Sequence, residues 1–137
     1  MKGLEGMIRL ERMRLDAARK ALAEAEATIA DIDGRIEALE AGIAREQAIA
    51  AGSEAGRIYG AYAQASIRRR KSLQRERLEA LSVCEARREA LQAIFEDLKK
   101  FEIIAEREAL RARLERERRE TAELDETALR RHGAGSA

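Results

Sequence analysis

Apolar residues recur every seven positions from Ile8 onward: Ile8, Leu15, Leu22, Ile29, Ile36 and Ile43, ending at Ala50. Between them, each three residues later, stand Glu11, Ala18, Ala25, Ile32, Leu39 and Glu46, with Leu4 ahead of the series. This is the a/d repeat of a coiled coil, held for about six heptads. A stripe so narrow cannot keep an isolated helix folded in water, because its stability comes from burying the stripe on a partner. The pattern predicts a first helix over residues 3–51 and asks for a second.

The run Ala51-Gly52-Ser53-Glu54-Ala55-Gly56, with Gly60 just after it, is the internal cluster of turn residues. Glycine ends helices in the left-handed conformation, and Ser53 is a suitable cap for the next one. A reversal is expected over residues 52–57. Glu46 at a seam position and the small Ala50 loosen the seam on the way there.

A second helix is predicted over residues 58–131, with no proline to break it. Leu81, Cys84, Leu91, Phe95 and Leu98 fit one a/d frame, with Arg88 as an interruption and Ile67 further back. The frame fails at Glu102 and returns only as Ala105, Ala109 and Ala112. Leu110, Leu114, Leu124 and Ala128 belong to a shifted stripe, and such shifts accompany a change of partner.

Lengths then decide the architecture. At 1.5 Å per residue the first helix is roughly 70 Å long, and the second, folded back, outruns it near Ala105. Residues 106–131 are left as an overhang of roughly 40 Å with nothing in their own chain to lie on. The expected fold is all-α: two long helices forming an antiparallel coiled-coil hairpin with a C-terminal overhang. It is read as one domain with a flexible tail at residues 132–137.

Composition supports this. Charged residues make up 39% and aromatics 3%, with no proline or tryptophan among 137 residues, as in long helices and unlike compact domains. The net charge of +1 argues against nucleic acid as a partner and, with the regular heptads, against disorder. No run approaches the roughly 20 apolar residues of a membrane span, and no secretory signal opens the chain, so a cytoplasmic protein is expected.

Candidate chemistry is sparse. No glycine-rich phosphate loop, Cys/His metal spacing or Ser-His-Asp set is present, so no enzyme, cofactor or metal site is expected. His132, ahead of Gly133-Ala134-Gly135-Ser136-Ala137, reads as part of a frayed end. Cys84 is the single cysteine, excluding an intrachain disulfide, and its seam position makes it a small buried hydrophobe.

Several features offer two readings. Gly34 and Gly42, interior to the first helix and off its seam, are either tolerated surface or places of close approach by another protein. Arg68-Arg69-Arg70-Lys71 spreads around the helix circumference, as solvated surface or as contacts to an acidic partner. Tyr59 and Tyr62 either plug the end of the hairpin or form a secondary docking point.

The overhang is the strongest functional candidate. Leu110, Leu114 and Leu124 lie among alternating arginines and glutamates, and Glu115 with Arg119 and Glu126 with Arg130 form i,i+4 pairs that sustain an unsupported helix. Such a helix either enters a groove or ring on another protein or self-associates as an antiparallel dimer, the latter fitting an adaptor or chaperone escort.

The ending Arg119-Glu120-Thr121-Ala122-Glu123-Leu124-Asp125-Glu126-Thr127-Ala128, followed by Arg130-Arg131, resembles the charged C-terminus of FliJ proteins. Chain length, the early start of the heptads and the unequal hairpin are similar too. FliJ proteins belong to the bacterial flagellar type III export apparatus, with YscO-type proteins as counterparts in virulence secretion. The resemblance implies a stalk-like coiled coil that binds the hexameric export ATPase and contacts the export gate and export chaperones. It implies attachment to the membrane through partners alone. Leu124, Asp125, Glu126, Arg130 and Arg131 would then face the ATPase, with Thr121-Ala122 departing from the family's more polar pattern.

Overall fold

A computed structural model describes residues 2–51 and 56–135 and contains two long helices packed against each other. Helix α1 spans Lys2–Ala50 and α2 spans Gly56–Gly135. Among the described residues there is no strand. The Ala51 N–H donates to the Gln47 carbonyl at 3.1 Å as α1 ends. The expected reversal, including the proposed Ser53 cap, falls on residues 52–55 and lies outside the described residues. Helix α2 starts by Gly56, two residues ahead of the expected position. It also runs on through His132 to Gly135, because nothing after Arg131 obliges a helix to stop.

By contacts the chain divides into two compact units: Met13–Ile94, and Met1–Arg12 with Phe95–Ala137. Within Met13–Ile94 the helices run antiparallel. Ion pairs join α1 to α2 there, among them Glu26 with Arg88 at 3.9 Å, Asp33 with Arg77 at 2.6 Å and Glu40 with Arg70 at 4.0 Å. As the α1 number rises, the α2 number falls. Asp33 raises the Arg77 pKa above its ordinary value, first by accepting its hydrogen bond and then by its charge.

The α1 seam is the one its heptads specify. Leu15, Ala25 and Ile32 are buried, while Ala18, Leu22, Ile29, Ile36, Leu39 and Ile43 are half-buried. Glu46 is exposed. The partner face of α2 differs from its sequence reading. Ser66, Leu73 and Cys84 are buried, and Arg70, Arg77, Ala80, Leu91 and Ile94 are half-buried, in steps of three and four apart from one step of seven between Cys84 and Leu91, where Arg87 and Arg88 are exposed. Leu73 is the most enclosed of these, 1% exposed. The expected seam residues Ile67, Leu81 and Phe95 are exposed instead. Each lies one position after a true seam residue (Ser66, Ala80 and Ile94), and the larger side chain drew the frame away from the smaller one.

In the other unit, Leu4, Ile8 and Glu11 of α1 and Leu98 of α2 are buried. Phe101, Ala105 and Glu108 follow as half-buried residues, and Glu115 is the last. The spacing from Leu98 to Glu115 is an unbroken alternation of three and four if Ala112 is included. The seam of α2 therefore does not shift frame at Glu102. It continues through Phe101, and Glu102 merely borders it.

Candidate partner-binding site

Beyond Glu108 every described residue of α2 is exposed apart from the half-buried Glu115. The overhang thus begins close to where helix lengths put it. Its large apolar side chains are uncovered: Leu110 is 47% exposed, Leu114 53%, Leu124 70% and Leu129 72%. An uncovered leucine is common on a protein surface, but three along one side of a solvated helix (Leu110, Leu114 and Leu124) form a stripe that water does not favour.

Their placement on the helix is informative. At 100° per residue, Leu110 lies about 180° from Phe101 and about 140° from Ala105. Leu114 and Leu124 share the side of Leu110, as do Glu117, Thr121 and Ala128, again in steps of four and three. This stripe is on the side of α2 opposite its seam. Leu129 is not part of it, because it falls in step with the seam series. The sequence reading did not single out Leu129.

Ion pairs within the helix hold the overhang. Glu115 accepts from Arg118 at 2.9 Å and lies 3.4 Å from Arg119. Arg113 pairs with Glu117 at 3.9 Å, and Arg130 donates to Glu126 at 2.8 Å. The Thr127 hydroxyl donates to the Glu123 carbonyl at 2.9 Å. Arg107, Leu110, Arg111, Leu114, Glu115 and Arg118 line a shallow depression in which two leucines are ringed by arginine. Asp125, Ala128, Leu129 and His132 line a second. Of the residues assigned by resemblance, Glu126 and Arg130 are thus tied to each other. Leu124, Asp125 and Arg131 are exposed.

The other candidate surface belongs to the Met13–Ile94 unit. Tyr59 and Tyr62 are half-buried, with ring centroids 6.4 Å apart and planes tilted by 35°. A Cβ on Gly42 would stand 3.2 Å from the Tyr62 hydroxyl, while one on Gly34 would meet open space. The close approach at Gly42 is therefore made by α2 of the same chain. In the basic run, Arg68, Arg69 and Lys71 are exposed and Arg70 turns toward Glu40. Cys84 is buried at 3% exposure, with an Arg88 guanidinium nitrogen 3.8 Å from its sulfur.

Among the described residues, no cluster of His, Cys, Asp and Glu could hold a metal ion, and no helix is long and apolar enough to cross a membrane. The site offers apolar contact and charge, the means of binding a protein. No curated protein and no solved structure matches the chain. A family model described as Flagellar FliJ protein matches residues 1–136. With a hairpin of two unequal helices and a match over nearly all of its length, the chain belongs to the FliJ family and is a structural component of flagellar protein export.

Proposed function

We propose that the protein is the stalk of the export apparatus, docking the α2 overhang on the export ATPase ring and coupling it to the export gate and to export chaperones. It works in the cytoplasm and reaches the membrane through these partners. It performs no catalysis itself. The observation that carries this reading is the exposure of Leu110, Leu114 and Leu124 on a helix with no α1 beside it. Burial of such side chains supplies about 1.5–3 kcal/mol each when complete, so a partner that covers them gains affinity and α1 cannot.

Charge divides the labour further. Asp125, Glu126, Arg130 and Arg131 surround the leucine end of the stripe and suit orientation and encounter more than raw affinity. The test is pull-down of the export ATPase and measurement of its hydrolysis rate with the intact chain and with Leu124→Asp. The intact chain should bind and stimulate, and Leu124→Asp should do neither. Equal stimulation by both would move the working site to Tyr59 and Tyr62.

A further inference from the structure

We infer that the overhang of α2 also pairs antiparallel with the overhang of a second copy of this chain, covering the face assigned above to the ATPase. The pairing stands on charge and register alone. Its regulatory consequence, that a paired chain is withheld from the ring, rests on the stalk reading.

Charges along the overhang are segregated. Residues 111–119 hold five arginines and two glutamates, a net charge of +3, whereas residues 120–126 hold four carboxylates and no base, a net charge of −4. The boundary falls in the middle of the leucine stripe. Two copies laid parallel would set like block against like block. Laid antiparallel about that boundary, each basic block lies on an acidic block, and flanking charges are what choose orientation in paired helices.

The apolar stripe agrees with the same register. With the two-fold axis beside Arg119, Leu114 of each copy faces Leu124 of the other, Leu110 faces Ala128, and Glu117 faces Thr121. On one flank, Arg111 then lies beside Asp125 of the second copy, twice over by symmetry. Among the described residues neither Arg111 nor Asp125 takes part in an ion pair within the chain. At the axis, Arg118 meets its own copy on one flank and Glu120 on the other. The first repulsion is blunted, because Arg118 is already bridged to Glu115 at 2.9 Å. Three leucine-class contacts per copy make a small interface, so the dimer is weak, with a dissociation constant on the order of tens of micromolar. A weak pair is what a competing partner can displace.

Sedimentation equilibrium of the intact chain, without the ATPase, tests this from low-micromolar to millimolar concentration at low and high ionic strength. A monomer–dimer equilibrium that weakens with salt is expected. Asp125→Arg and Arg111→Asp, both at exposed positions, should each raise the dissociation constant about tenfold at low salt, since each reverses two symmetry-related pairs. The double variant Arg111→Asp/Asp125→Arg should restore it, because each copy then carries the swapped pair. Circular dichroism on the same samples shows that the helices persist. A monomer at every concentration, a dimer strengthened by salt, or a double variant as weak as the singles would overturn the pairing. If the intact chain dimerises as described yet neither binds nor stimulates the ATPase at concentrations where it is monomeric, the stalk reading fails while the dimer stands.

Discussion

The Arg77 guanidinium donates from Nε to Oδ1 of Asp33 at 2.6 Å, binding the first third of α2 to α1. Both side chains are close to half exposed, so solvent screens the attraction. Replacing Arg77 with methionine, which keeps an aliphatic stem on the seam but removes the charge, should cost about 0.2–1 kcal/mol, and thermal melts at high salt should show a smaller difference than melts at low salt. A loss of several kcal/mol, insensitive to salt, would mean that the pair is far less solvated than its exposure indicates.

Leu73 and Leu81 separate the two possible phases of α2. Leu73 is 1% exposed, and Leu73→Ala should destabilise the hairpin by about 2–5 kcal/mol, since it leaves a cavity in the seam. Leu81, exposed beside that seam, should cost less than half as much on the same substitution. Chemical denaturation of the two variants is the measurement. Equal losses would return Leu81 to the seam.

Two glycines in α1 should respond differently to alanine. At Gly34 the added methyl meets open space, so Gly34→Ala should stabilise the helix by up to about 1 kcal/mol through propensity alone. At Gly42 it meets the Tyr62 hydroxyl at 3.2 Å, and the side chain must give way. Gly42→Ala should therefore stabilise less than Gly34→Ala, and Tyr62→Phe should recover the difference, as a comparison of melting temperatures would reveal.

Removing the overhang should separate folding from function. Among the described residues, truncation after Ala109 deletes ones that are exposed apart from Glu115. The melting temperature of what remains should stay within a few degrees, while binding and stimulation of the export ATPase disappear. Charge reversal at Arg130 and Arg131 should weaken binding most at low salt, whereas Leu124→Asp should weaken it at every ionic strength. A truncated chain that still stimulates fully would exclude the overhang.

How legible the chain is differs between its helices. Helix α1 declares its seam, because isoleucine or leucine occupies one position of nearly every heptad and polar residues flank it. Helix α2 does not. Its seam includes Ser66, Arg70, Arg77, Ala80 and Glu108, which no hydrophobicity count selects, while Ile67, Leu81 and Phe95 stand just outside it. Arginine serves there because its aliphatic stem covers the seam while its charge reaches Asp33 or Glu40 on α1. That exchange depends on which residue faces which, and a single helix read alone contains no such information. The overhang was legible from lengths, and its leucines from composition. Leu129 was not, since one leucine in step with a vanished seam carries no pattern of its own.

The leucine stripe lies on the side of α2 turned away from its seam, and this has a kinetic meaning. A partner reaching Leu110, Leu114 and Leu124 need not prise the two helices apart, so capture involves no slow opening step. For the unpaired chain, association should then proceed in a single phase, with a rate constant proportional to partner concentration and governed by how often correctly turned encounters occur. Release becomes the adjustable quantity. A shaft that must engage, let go and engage again would tolerate changes in its leucines as changes in dwell time, with the hairpin behind them left undisturbed.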